Sequence, residues 1–263
     1  MGVYLQKRNL RVRYFRQVLS RKPPLHSNEI PKIIHQTAPS DRRKWPKVWT
    51  PCYNSWKVHF PDSEFEYIFW DDNDLARLIK TDFPWFWSIY KSYPQHIKRV
   101  DIARYFILYK YGGIYVDMDY MCLKNFYKKL KPGYVSVVES PYKKNEKVQN
   151  ALMCSPPQHD FWKEVIIEGI KRKDRKNVLD CTGPRLLDAV IKNTRFKIDI
   201  LLQKYYNPHY KSRRFLKDKK LYCKHLLTNV YSTGNKLYHY DEGNFFKRGS
   251  LISNTNEISR YVN

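Results

Sequence analysis

The sequence predicts an α/β domain with a mostly parallel sheet, and three observations carry the prediction. Short apolar, β-rich runs at residues 30–36, 65–70 and 114–116 alternate with segments of helical spacing, the signature of strand–helix–strand units. The longest helical segment, residues 97–111, repeats apolar or aromatic side chains at 97, 100, 103, 107, 108 and 111. Gly112-Gly113 then stops that helix and delivers the chain directly into the strand at 114–116. A chain of 263 residues with 42% hydrophobic and 16% aromatic content can bury a full core, and no solenoid or propeller period interrupts it. One globular domain over residues 26–263 is expected, behind a basic segment, 1–25, that is expected to be helical and is set off by Pro23-Pro24.

Each element has a local reason. Residues 30–36 (IPKIIHQ) are an apolar run behind a proline and read as the first buried strand. Widely spaced aromatics at 46–60 predict a short helix ending before Pro61, and the alternation in 65–70 (FEYIFW) predicts the second strand. Asp71-Asp72 open a helix over 73–80, with an acidic first turn at the positive end of its dipole. For Trp85 and Trp87, in the run PWFW, core packing and an exposed aromatic platform both stay open. Further strands are expected at 134–139 and 151–154, a helix at 160–171, and another at 185–192 with Thr182 as N-cap and Pro184 near its first position. Residues 204–220 read as a polar, basic loop, followed by short strands at 221–223 and 236–240.

The charge balance narrows the partners. Lys plus Arg number 49 against 25 Asp plus Glu, a net +24, which attracts polyanions, anionic membranes or phosphorylated ligands. A nucleic-acid-binding protein is the rival from another class, but the interleaved basic and aromatic pattern of an RRM or OB-like face is missing, so no specific nucleic acid is expected. The five cysteines form no C-x-x-C pair, which argues against a zinc or redox motif and fits reduced, buried thiols. No stretch reaches the roughly 20 apolar residues of a membrane-spanning helix, and the first residues lack the apolar core of a signal peptide. The expected location is cytoplasmic or on the cytoplasmic face of a membrane, with the basic surface available for peripheral contact.

The chemistry concentrates at Asp117-Met118-Asp119. Two aspartates one residue apart at a strand end project to the same side, because strand side chains alternate with period two. In open α/β sheets ligands bind outside the carboxyl ends of the strands, which is where this pair falls. Two carboxylates there form a hard oxygen site for Mn²⁺ or Mg²⁺, shared with phosphate oxygens. D-x-D alone is a common tripeptide; its weight comes from the apolar helix bearing Asp101 and Arg104, the Gly-Gly turn and the strand before it.

The run RVDIARYFILYKYGGIYVDMD, residues 99–119, resembles the sugar-binding region containing the DXD motif of glycosyltransferase family 32, which includes Och1-type mannosyltransferases and inositol-phosphoceramide mannosyltransferases. IPKIIHQT at 30–37, YIFWDD at 67–72, the stretch 150–162 and TGP at 182–184 are similar to further elements of that family, so the resemblance spans roughly 30–192. It implies a GT-A fold, a single Rossmann-like domain that binds a UDP- or GDP-sugar and transfers a hexose to a hydroxyl on a glycan or glycolipid acceptor with retention of configuration. Without an evident covalent nucleophile, front-face substitution is the expected course. Carried over by residue, Asp119 is the direct metal ligand, Asp117 is shared between metal and donor, and Asp101 and Arg104 contact donor sugar and diphosphate. His35, Gln36 and Thr37 line the nucleotide pocket, Trp70 and Asp71 bound the base or ribose, and Thr182 and Gly183 belong to the donor site. The family's closing His-containing stretch with a small-residue–Trp pair is altered here: His239 has no following Trp. His239 is the expected third metal ligand, with Asn244 and Lys247 near the diphosphate, and the altered tail keeps open a degenerate transferase that only binds or hydrolyses nucleotide sugars.

Overall fold

The computed structural model describes residues 28–142, 146–208 and 220–226. The segment 1–25, the strand expected at 236–240, and His239, Asn244 and Lys247 lie outside the described residues.

The strands are β1 (Ile33–Thr37), β2 (Glu66–Trp70), β3 (Gly113–Val116), β4 (Tyr120–Cys122), β5 (Val135–Glu139), β6 (Val148–Ser155), β7 (Ile198–Leu201) and β8 (Cys223–His225). Six of them form one sheet in the order β2-β1-β3-β6-β5-β7, and β4 pairs with β8 in a separate ribbon. Within the large sheet β1 runs parallel to β2 and β3, β7 runs parallel to β5, and only β6 opposes its neighbours. The chain leaves β1 for β2 on one side and returns to β3 on the other. That makes the carboxyl end of β1 a topological switch point, the usual place for a ligand crevice.

Helices cover the sheet as α1 (Trp49–His59), α2 (Asp72–Asp82), α3 (Pro84–Ser92), α4 (His96–Tyr111), α5 (Asp160–Lys171), α6 (Val178–Cys181), α7 (Pro184–Ile191) and α8 (Gln203–Tyr206). Strand alternation divides the interior into cores on either face. Tyr115 packs with α2–α5 and α7, whereas Ile114 and Val116 pack with Trp56 of α1 and with Phe60, which caps that helix. The α4 helix is buried nearly all round, so its charged Lys98, Asp101 and Arg104 are interior residues that need partners.

Gly112-Gly113 turns this helix into β3. Their φ angles are +63° and +84°, and a Cβ would fall 2.5 Å from the Pro157 nitrogen at Gly112 and 2.6 Å from the Ile33 carbonyl at Gly113.

Several expectations change. The α3 helix begins at Pro84 and buries Phe86, Ile89 and Tyr90, while Trp85 and Trp87 pack half-buried against the same core, which makes them packing residues. The strand expected at 151–154 extends over eight buried residues, and its polar Gln149 and Asn150 are hydrogen-bonded inside to Asn207 and Asp101. Gly183, not Thr182, caps α7. Residues 204–206, placed in a loop by their polarity, belong to the one-turn helix α8, and the strand expected at 221–223 runs over 223–225.

Candidate active site

Asp117-Met118-Asp119 leaves the carboxyl end of β3 and leads straight into β4. The Asp117 amide still donates to the Ala151 carbonyl at 2.9 Å, so the turn is tied to the neighbouring strand. The Leu226 amide donates to the Asp119 carbonyl at 2.9 Å, which brings β8 alongside and delivers His225. Ligand atoms of Asp117, Asp119 and His225 all lie within 4.8 Å of one another. His225 Nε2 is 3.1 Å from Asp119 Oδ1, and its ring stacks on Tyr120 at 4.8 Å and 18°. Its Nδ1 is buried and has no hydrogen-bond partner among the described residues. Burial pulls the His225 pKa down, but Asp119 and then Asp117 outweigh it and raise the pKa above the ordinary histidine value.

The third group was invisible in the sequence. Three-residue β8 lies more than a hundred positions from the aspartates, and nothing local distinguishes His225 from the other histidines. Only the pairing of β4 with β8 brings it to Asp119.

Arg104 organises the opposite side. Its guanidinium lies 2.8 Å from Asp101 Oδ1 and 3.1 Å from Asp117 Oδ1, and donates to the Asn150 carbonyl at 2.9 Å. It also stands over the Tyr115 ring at 4.7 Å. Tyr115 donates its hydroxyl to Asp117 at 2.9 Å, and Thr37 meets the same hydroxyl at 2.9 Å. A chain of contacts thus runs from Thr37 through Tyr115, Asp117 and Arg104 to Asp101. Asn150 supports Asp101 at 3.3 Å, and Thr182 donates to it at 3.5 Å. Burial raises Asp101 to about 6, against the opposing pull of Arg104; Asp117 is raised by burial, again opposed by Arg104 and reinforced by Asp119. The Asp101–Arg104 pair is therefore a buried anchor rather than a surface i,i+3 pair.

The remaining expected site residues divide. Thr37 belongs to the network just described, and Thr182 reaches it through Asp101. His35 is fully buried: its Nδ1 accepts from Trp70 Nε1 at 3.2 Å, and its Nε2 bonds the Gly112 carbonyl at 3.0 Å. With both ring nitrogens engaged, His35 and Trp70 support the Gly-Gly turn from below. The Asp71 carboxylate accepts the Asp74 amide at 2.9 Å as the N-cap of α2. Gly183 makes the close turn into α7, where a Cβ would sit 2.9 Å from Leu179 Cα. Gln36 is 1% exposed, and neither amide atom has a partner among the described residues. A small crevice of about 40 Å³ opens at the ends of β1 and β2, lined by Thr37, Ala38, Pro39, Trp70, Asp72, Leu75, His96 and Val100.

Two carboxylates and an imidazole that converge this closely fit a divalent cation. The oxygens suit Mn²⁺ or Mg²⁺, the imidazole favours a transition metal, and the raised Asp117 pKa reflects burial and repulsion from Asp119 that a cation would relieve.

The chain is similar to known proteins in sequence and in fold. Residues 46–137 match the family described as "Glycosyltransferase sugar-binding region containing DXD motif". Inositol phosphoceramide mannosyltransferase 3 of Schizosaccharomyces pombe is 46% identical over 101 residues, 37% of this chain and 27% of the relative. Mannosyl phosphorylinositol ceramide synthase SUR1 of Saccharomyces cerevisiae is 32% identical over 194 residues, 68% of this chain and 48% of the relative. The chain thus spans between about a quarter and a half of the length of these relatives. The solved structure of PaToxG Glycosyltransferase superposes with a TM-score of 0.50 at 16% identity, covering 70% of this chain and 77% of that one. The fold is the GT-A class of α/β domain.

Proposed function

This chain carries, at residues 46–137, the glycosyltransferase sugar-binding region with its DXD motif; from that premise we propose a metal-dependent, retaining transferase that moves a hexose from a UDP- or GDP-sugar to a hydroxyl of a glycolipid. The relatives are named for mannosyl transfer to inositol phosphoceramide, which favours a mannosyl donor and an inositol-phosphate-bearing lipid acceptor. The observation that carries the reading is the convergence of Asp117, Asp119 and His225 at the carboxyl end of the central strand, beside Arg104.

Asp117, Asp119 and His225 would hold the cation, whose chemistry is to neutralise charge gathering on a departing diphosphate. The chain's own groups prepare for that charge. Arg104, pinned by Asp101 and the Asn150 carbonyl, fixes the Asp117 carboxylate and pulls its pKa down against the upward push of burial. Tyr115 orients the same carboxylate by donating to it. Thr37, at the end of β1 and in the wall of the small crevice there, suits a polar ligand such as a nucleoside. A net charge of +24 suits an anionic donor and a phosphate-bearing acceptor.

The test combines thermal shift with UDP- and GDP-sugars, with and without Mn²⁺, and transfer to inositol-phosphate sphingolipid in vesicles. Metal-dependent stabilisation by one nucleotide class and transfer of its sugar are expected, and Asp119→Ala should abolish transfer with the circular dichroism unchanged. Full transfer by Asp119→Ala would sink the metal reading, and hydrolysis without transfer would favour the degenerate enzyme.

A further inference from the structure

Cys122 and Cys223 stand directly opposite each other in the β4–β8 ribbon. Both are free thiols, 1% and 0% exposed. The backbone bonds decide which kind of pair they are. The Leu123 amide donates to the Tyr222 carbonyl at 2.8 Å, and the Leu226 amide donates to the Asp119 carbonyl at 2.9 Å. These bonds flank Cys122/Cys223 and Tyr120/His225, so both are non-hydrogen-bonded pairs, in which Cα atoms approach to about 4.5 Å and side chains lean together. That spacing lies inside the range of about 4.4–6.8 Å that a disulfide requires.

The ribbon is also where the site is least supported. β8 is three residues long, and an isolated pair of strands is marginal in water. Yet β8 carries His225, two residues after Cys223 and on the same face, while Cys122 follows Asp119 by three residues. Whatever joins the two cysteines therefore also sets the separation of His225 from Asp119.

We propose that Cys122 and Cys223 are a disulfide site, closed by exchange with a small-molecule disulfide, and that the bond clamps the strand carrying His225 against the strand that follows Asp119. One cysteine, as its thiolate, attacks the small disulfide; a mixed disulfide forms and one small thiolate leaves. The second cysteine thiolate attacks the protein sulfur of that mixed disulfide, expels the second small thiolate and completes the bond. The two protons given up by the cysteines end on the two released thiols. The protein loses two electrons and the small disulfide gains them. Burial of both thiols makes the exchange wait on opening of the short ribbon, and the nearby Cys154, in the same core, is the competing partner. The disulfide rests on the strand pairing alone; its effect on the cation rests on the metal reading above.

The full chain is equilibrated with oxidised glutathione, alkylated under denaturing conditions, and mapped by mass spectrometry without reduction. The expected result is one crosslink, Cys122–Cys223, with alkylatable thiols falling from five to three, and the same crosslink in Cys154→Ala. Five alkylatable thiols after oxidation, or a crosslink through Cys154, would overturn the site. Calorimetric titration with Mn²⁺ then compares the oxidised and reduced chains. Reduction should weaken binding about tenfold, the effect typical of loosening a group that orients a metal ligand. Equal affinity in both states overturns the clamp. A crosslinked chain that binds no Mn²⁺ in either state supports the disulfide site and counts instead against the metal reading.

Discussion

Acid should destabilise this protein through His35, and the size of the effect follows from its surroundings. Burial lowers the His35 pKa to about 4, outweighing the bond to the Gly112 carbonyl that raises it. The neutral ring accepts from Trp70 at Nδ1, so its proton sits on Nε2 and points at Gly112. Adding a proton at Nδ1 would break the Trp70 bond and leave a cation in the core. The unfolded chain titrates near 6.5. Between that value and about 4 it takes up a proton that the folded state refuses, so stability is intact above the window and falls as pH falls through it. The loss is about 2 kcal/mol by about pH 5 and about 3 kcal/mol below about pH 4, out of a typical total of about 5–15 kcal/mol. Asp101, raised to about 6, pushes the other way: the folded state holds its proton more tightly, which adds stability as pH falls. The measurement must therefore be differential, with urea unfolding of wild type and His35→Gln at about pH 7 and about pH 5. His35→Gln should be less stable at neutral pH and should lose about 2 kcal/mol less than wild type on acidification. Equal losses in the two proteins would refute a buried neutral His35.

Arg104→Lys should cost about 3 kcal/mol in urea unfolding, because one ammonium cannot serve Asp101, Asp117 and the Asn150 carbonyl together, and a loss below about 1 kcal/mol would contradict the network. Gly112→Ala should lower stability by more than about 1 kcal/mol, read as a drop in Tm, since its Cβ would strike the Pro157 backbone at a positive φ. His225→Ala should weaken Mn²⁺ binding by at least about tenfold in calorimetry with the helical signal retained, and unchanged affinity would remove His225 from the site.

The central helix, the Gly-Gly turn, β3 and the Asp117–Asp119 pair were legible because each is written within about twenty neighbouring residues. Helical spacing, a glycine stop and strand alternation are local rules, and they located Asp101 and Arg104 on the same unit. Charge alone could not say that Arg104 is a buried clamp on Asp117, since that depends on the Asn150 carbonyl of a strand far along the chain. His35 and Asp71 lie in runs that resemble further elements of the family, yet their polar atoms are used by Gly112, Trp70 and the α2 cap. Through local pattern, then, the sequence by itself determined the α/β class and the aspartate pair at the strand end. Only the tertiary structure decided that His225 joins that pair and that Cys122 faces Cys223. Both follow from the pairing of two three-residue strands a hundred positions apart, and short strands carry too little local pattern to announce their partners.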